Sequence, residues 1–344
     1  MPTEQEILKV IRKIIPGSKK YLFDDTAIID KNLIVTTDTL VENTHFTLKT
    51  YVPEEIGWKA MAVNLSDIAA MGGKPLYALV SLSLPVGIKL KWINDFYKGL
   101  ISCAKKYKTQ IIGGNLTRSK EINITITLIG KVNDKNIGKR VNAKEGDFVF
   151  TTGTFGDSAC GLLLLKNPVI ANTFASLSVN SAKQSHKSEI SQVRLLRAKA
   201  LAMTKQLIKQ HKKPTPQISL GQKIVKLTRR TSLMDASDGL ADCLIQISNQ
   251  SKVKIIIDKG KIPVSQNTKS AAKILNKNFL NLSLYGGEDY QLVGTASKID
   301  CKKLAKIKEI KIIGRVIKGK GTFLKQNNNR LVRLDLQKTY EHFS

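Results

Sequence analysis

Three patterns of apolar and polar positions divide the chain. "LYALVSLSLP" (76–85) and "INITITLIG" (122–130) alternate in part, which predicts half-buried strands. "DFVFTTG" (147–153) and "KIIIDKG" (254–260) are shorter runs of β-branched and aromatic residues and predict two more strands. "KWINDFYKGLISCAKKY" (91–107) has helical spacing. So does the stretch 190–211, where Val193, Leu196, Ala200, Met203 and Leu207 form one apolar stripe. "KKPTPQ" (212–217) ends that helix, because proline cannot continue it. The first 13 residues alternate charges with aliphatics and predict a short amphipathic helix, not a signal peptide. Strands and helices therefore alternate, the signature of an α/β or α+β protein.

The polar, turn-rich stretch 131–147 reads as the connection between two domains, and 344 residues suit two. A second polar stretch, about 166–189, reads as a loop or insertion. "NLIVTTDTLVENTHF" (32–46) is harder to place. Leu33–Val35 starts as a strand, but Asp38, Glu42 and His45 follow at its end. "IIGGNLTRS" (111–119) reads by itself as a plain turn.

The chain carries 56 Lys and Arg against 27 Asp and Glu, so it is strongly basic. The lysines are scattered, aromatics are only 6%, and no aromatic segment offers a base-stacking platform, so specific nucleic-acid binding is not expected. A positive field would still gather anionic small molecules. No apolar run reaches the ~20 residues of a membrane span. The four cysteines are far apart, which argues against zinc or disulfides and for a reducing cytoplasm.

Against this basic background the acids collect in six segments. These are "FDDTAII" (23–29), "TTDTLVENTHF" (36–46), "VNLSDIAAMGG" (63–73), "GTFGDSACG" (153–161), "MDASDGLADCL" (234–244) and "YGGEDYQLV" (285–293). Any one Ser-Asp pair, such as Ser66-Asp67 or Ser237-Asp238, reads first as a helix N-cap. Six together point elsewhere. Carboxylates massed in space repel unless cations neutralise them. Asp mixed with Ser and Thr suits Mg²⁺ better than zinc or iron. Neither G-x-x-x-x-G-K-[ST] nor G-x-G-x-x-G is present.

In combination and order, these motifs resemble the thiamine-monophosphate kinase family. Its superfamily includes aminoimidazole ribonucleotide synthetase and selenophosphate synthetase. The motifs are the acidic pair, T-D-T-L-V-x-x-x-H-F, N-L-S-D-I-A-A-M-G, G-G-x-x-T-R, T-G-x-x-G-D-x-A-x-G-L, D-x-S-D-G-L, G-G-E-D-Y-x-L and a terminal aromatic-x-H-F. The resemblance implies a two-domain α/β (α+β) fold of the aminoimidazole ribonucleotide synthetase type. An ATP/Mg-binding and dimerisation domain would span 1–139 and a domain completing the active site 140–344. A homodimer would form through the N-terminal strands.

The implied reaction is phosphoryl transfer from ATP to thiamine monophosphate, giving thiamine diphosphate. The resemblance further implies that Asp25, Thr36, Thr37, Asp38, Asp67, Asn115, Asp235 and Asp238 hold Mg²⁺, with Asp38, Asp67 and Asp238 central to catalysis. Tyr97, Gly114, Asn115, Arg140 and Ser237 would serve ATP, and His45, Glu288 and Tyr340 the thiamine substrate. Three departures stand out: Phe23 where the family has Gly, Asn115 where it has a metal-binding Asp, and a long 166–189 segment. Another ATP-dependent synthetase of the superfamily, a basic nucleic-acid binder, and an inactive relative that binds nucleotide without turnover are the competing expectations.

Overall fold

In this computed structural model the residues described are 4–16, 18, 24–30, 32–133, 136–167 and 187–336, without the side chains of 4–5 and 187–197. They form two sheets with helices between and around them. The first sheet comes from β1 (Ala27–Ile28), β2 (Leu33–Val41), β3 (Lys74–Leu84), β4 (Gln110–Arg118) and β5 (Asn123–Lys131). Its order is β1-β2-β5-β3-β4, antiparallel except for the parallel pair β3/β4. The N-terminal segment forms helix α1 (Glu4–Ile14). Helices α2 (Pro53–Ala70) and α3 (Leu90–Lys106) belong with the first sheet.

One face of this sheet is buried and the other open, so its strands alternate. Ile34, Leu40, Ala78, Val80, Leu82, Ile124, Ile126 and Leu128 point into the core. Two expectations change here. The strand starting at Leu33 does not stop at Val35 but runs to Val41. Thr36 and Asp38 occupy inward positions of the same alternation as Ile34 and Leu40, so the polar residues continue the strand. The segment 111–119 is also strand, β4, where a turn was expected. Gly114 explains why it carries glycine: a Cβ there would sit 1.8 Å from the Val80 carbonyl oxygen.

The second sheet is built from β6 (Phe148–Thr152), β7 (Thr231–Asp235), β8 (Lys254–Asp258), β9 (Leu292–Ala296), β10 (Ile310–Ile317), β11 (Gly321–Lys325) and β12 (Leu331–Arg333). Its order is β12-β11-β8-β10-β6-β9-β7. Its central strands are covered on both sides, which is why their sequences are apolar runs without alternation. Val149, Ile255, Ile257, Val293 and Ile313 pack with Leu240, Leu244 and Ile247 of a helix at Leu240–Ser251. Phe150, Leu233 and Leu292 instead join the core of the first sheet.

Helix α2 runs between the sheets, touching β2 and β5 on one side and β7 on the other. It is buried almost all round. Ser66 and Asp67 lie inside it near its C-terminal end, so they are not an N-cap. The predicted basic helix is observed at Lys187–Lys212, and from its expected stripe Met203 and Leu207 pack on Cys160 and Leu164. Most of the 166–189 segment, Phe23 and Tyr340 lie outside the described residues. The four cysteines are free and buried.

Helices α2 and α3 approach closely at two glycines. A Cβ on Gly99 would lie 1.9 Å from the Glu54 carbonyl oxygen, and one on Gly57 would lie 2.1 Å from that of Phe96. Gly99→Ala is therefore expected to lower stability by about 1–3 kcal/mol through overpacking. A denaturant or thermal midpoint equal to wild type would show that the helices separate freely.

Candidate active site

The inward face of β2, the end of α2 and the end of β7 meet where the two sheets face each other. Carboxylate oxygens of Asp25, Asp67 and Asp235 all lie within 4.8 Å of one another there. Thr36 donates to Asp67 Oδ2 at 2.5 Å and to the Asp25 carbonyl at 3.3 Å. Arg140 sits in a short turn at Arg140–Asn142 and closes the cluster. Its Nη2 lies 2.7 Å from Asp25 Oδ1, and its backbone N–H donates to Asp24 at 2.8 Å. The 131–147 stretch is thus more than a connection, since it delivers this guanidinium.

Burial and mutual repulsion act on the acids together. Burial, then the charges of Asp38, Asp235 and Asp25, pushes the Asp67 carboxyl well above the usual carboxylate range. Burial, then the Asp25 charge, does the same for Asp235. Burial works against the Arg140 charge, but Asp25 outweighs it and raises the guanidinium pKa. Among the described residues Asp235 Oδ2 is buried with no hydrogen-bond partner. An orphaned buried carboxylate oxygen beside two further carboxylates is a donor set that suits a hard divalent cation. One guanidinium does not balance three acids.

A cavity of about 920 Å³ opens from the cluster. Its walls include Thr37, Asp38, His45, Asp67, Asp235, Ser237, Asp238 and Glu288. The structure thus brings together most of the residues named from sequence, although they span positions 37 to 288. Asp25, Thr36 and Arg140 adjoin it through Asp67 and Asp235. Thr37 differs in its hydroxyl: it faces the other side of the sheet, donating to the Ile126 carbonyl at 3.2 Å. Asn115, Gly114 and Tyr97 are not in the cavity walls. Asn115 is exposed on β4 in register with Ser81, on the sheet's open face, so within this chain it does not join the acids. Tyr97 packs edge-on to Phe96 at 5.4 Å beside the core.

The far end of the cavity is assembled from loops. The backbone N–H of Glu288 donates to the Ser237 carbonyl at 2.6 Å, and that of Tyr290 to the Ala236 carbonyl at 3.0 Å. Glu288 and Tyr290 have φ of 63° and 49°, left-handed values that L residues adopt only where surroundings enforce them. Between them, Asp289 accepts from the backbone N–H groups of Gly156 at 2.7 Å and Ser158 at 3.1 Å. The G-G-E-D-Y, D-x-S-D-G-L and T-G-x-x-G-D segments are therefore clasped together. His45 Nδ1 accepts from the Val41 N–H at 2.9 Å, which orients the ring in the cavity wall.

Sequence reasoning missed Asn64. Past Val35, β2 has no strand partner on its β1 side among the described residues. The buried Asn64 fills the gap, accepting from the Asp38 N–H at 3.0 Å and donating to the Ala60 carbonyl at 3.1 Å. The asparagine of N-L-S-D was the available signal. Lys59, Tyr51 and His211, also unnamed from sequence, surround Glu288.

A profile for the AIR synthase related protein, N-terminal domain, matches residues 23–132. The thiamine-monophosphate kinase of Aquifex aeolicus is 35% identical over 321 residues, 92% of each chain. That of Bacillus subtilis is 36% identical, covering 77% of this chain and 72% of its own. The chain belongs to the thiamine-monophosphate kinase family. Among solved structures, AaThiL complexed with AMPPCP and TMP superposes with a TM-score of 0.80 at 32% identity, covering 99% of this chain and 97% of its own. The kinase of Stenotrophomonas maltophilia K279a gives 0.71 at 29%, covering 92% and 93%. A HypE–HypF complex at 21% identity and TM-score 0.70 shares the fold.

The raised carboxyls fix a sign. A carboxyl whose pKa is higher in the native than in the unfolded state binds a proton that unfolding releases. Its contribution is therefore lost as pH rises from the ordinary carboxylate range to the raised value. In chelator, the thermal midpoint of wild type minus that of Asp235→Asn should fall with rising pH across this window. Asp235→Asn should melt higher than wild type near neutral pH. A difference that is flat with pH would show that neither burial nor the neighbouring acids raise the Asp235 carboxyl.

Proposed function

We propose that this protein phosphorylates thiamine monophosphate with ATP, giving thiamine diphosphate and ADP. The observation that carries the reading is the cavity itself. It joins a cluster of buried and half-buried carboxylates at one end to His45 and Glu288 at the other, in a chain that aligns with thiamine-monophosphate kinases over most of its length. AaThiL, to which it superposes, was solved with AMPPCP and TMP.

The acceptor is a phosphate monoester whose second pKa lies near ~6, so its oxygen is largely deprotonated at neutral pH. No general base is required. The obstacle is repulsion between two anionic phosphates, and catalysis is positioning with charge neutralisation. Bound Mg²⁺ would supply that neutralisation. Asp25, Asp38, Asp67, Asp235 and Asp238 would hold it, with Thr36 oriented against Asp67. Arg140 keeps Asp25 in place, and Ser237 lies beside the nucleotide. His45 and Glu288 hold the organic part of the acceptor. The basic surface draws in both anions.

The enzyme works in the cytoplasm as a homodimer, in this reading, with division of the chain at 139/140. Support for the dimer comes from the open face and edge of the first sheet, where Tyr77, Leu79, Ile112 and Leu116 are exposed. Among the described residues no helix is long and apolar enough to cross a membrane.

A coupled assay with ATP, Mg²⁺ and thiamine monophosphate, analysed for thiamine diphosphate, tests the reading. Asp38→Asn, Asp67→Asn and Asp238→Asn are each expected to lose most turnover with the fold intact. Near-normal rates in all three would remove the cluster from the mechanism. Asn115 stands away from the acids of its own chain and would reach a metal site only from the second copy of the homodimer; in that arrangement Asn115→Asp is expected to shift the Mg²⁺ titration of activity to lower concentration, because hard-cation affinity follows ligand charge. An unmoved midpoint would take Asn115 out of the metal shell. Activity only in Asn115→Asp would mark the wild type as a nucleotide-binding relative without turnover. Retention on DNA or RNA should collapse with salt. Selective binding at physiological salt would favour the nucleic-acid reading.

A further inference from the structure

Lys59 has no exposed surface at all. A lysine in that position is expensive to keep charged, and the structure surrounds it with acceptors. Its Nζ lies 2.7 Å from Glu288 Oε1, 3.2 Å from the Tyr51 hydroxyl and 3.4 Å from the His45 carbonyl. The second Glu288 oxygen faces His211 Nδ1 at 3.1 Å, and that nitrogen is 2.9 Å from Ser158 Oγ. Glu288, Tyr51, His45 and His211 all line the cavity, whereas Lys59 stands behind them and does not.

Lys59 can therefore act on a bound molecule only through these four residues. Burial pulls the Glu288 carboxyl up, yet Lys59 and His211 outweigh it and bring it to about 2. Lys59 and Glu288 cancel in charge. The wall they form offers fixed carboxylate lone pairs without net charge, which suits an uncharged hydrogen-bond donor on a heterocycle. The same helix carries Asp67 eight residues on, about 12 Å of helical rise away. One rigid element thus carries both the reacting end and the recognition end of the cavity.

We propose that Lys59 is a positioning residue that fixes Glu288 and His45 at a set distance from the acid cluster, so that α2 measures the length of the acceptor and selects one whose organic end carries a neutral amino-heterocycle. This rests on the kinase reading above and deepens it. Lys59 itself touches neither substrate nor the reacting atoms.

The test uses the full-length protein, with KM for thiamine monophosphate, KM for ATP, and the competitive inhibition constant of a truncated acceptor, the thiazole phosphate lacking the aminopyrimidine. In Lys59→Met, KM for thiamine monophosphate is expected to rise about tenfold, the scale of a lost hydrogen bond to a charged group. KM for ATP and the inhibition constant of the truncated acceptor are expected to stay at wild-type values. An unchanged KM for thiamine monophosphate, or an equal weakening of both acceptors, would overturn the proposal. If Lys59→Met does not fold, Lys59→Gln, which keeps a donor toward Glu288, is measured the same way. If neither variant folds, the lysine is a stability element and the proposal falls. A wild type that makes no thiamine diphosphate would remove the kinase reading instead, a separate outcome.

Discussion

Three carboxylates share a space in which any two of them repel, and much of the fold around them serves to hold them there. Asp25, Asp67 and Asp235 come from a loop, a helix and a strand end, and no local geometry would gather them. Helix α2 can bring Asp67 to the seam because it is sandwiched between the sheets. Glycines at 57 and 99 permit this by letting α3 lie close against it. Strand β2 can present Thr36 and Asp38 inward because Asn64 satisfies a backbone group that no neighbouring strand among the described residues reaches. Arg140 offsets part of the charge, leaving an excess that a divalent cation is suited to neutralise.

The opposite end of the cavity shows the reverse economy. There a buried lysine and a buried histidine flank a half-buried glutamate that balances the lysine's charge, and the backbone is held in left-handed conformations at Glu288 and Tyr290. Burial pushes Asp289 up to about 8, against the pull of the two backbone N–H groups it accepts from. That carboxyl clasps the start of the helix at Asp157–Lys166 to the Gly-Gly loop. One end of the cavity thus carries unbalanced charge and the other fixed, balanced charge. That contrast is what an acceptor with a phosphate at one end and a heterocycle at the other calls for.

Much of the framework was legible in the sequence, because one-sided burial leaves alternation and two-sided burial leaves apolar runs. The strands at 76–85, 122–130, 147–153 and 254–260 and the helices at 91–107 and 190–211 all correspond to observed elements. What alternation could not show was a strand whose inward positions are polar, as at Thr36 and Asp38, or an exposed edge strand held by Gly114. The convergence of the acids was not readable from spacing either, since it depends on how two sheets face each other; the ordered motifs supplied it. Lys59 was invisible for a related reason. A lysine in a helix is ordinarily a solvated residue, and only the sandwiching of α2 buries it.

The order of the sheets along the chain has a consequence for synthesis on the ribosome. The first sheet is complete within residues 27–131, so it can pair its strands while the rest is still being made. The second cannot. Its strand β6 lies between β9 and β10, which emerge more than a hundred residues later. Until then the apolar run 148–152 has no neighbours of its own sheet, and neither has β7, which carries Asp235 and pairs with β9. The repulsive cluster is therefore closed late, onto a half already built, and the nascent chain carries an unpaired apolar strand from residue 152 to residue 292. Chaperone demand should concentrate on that interval.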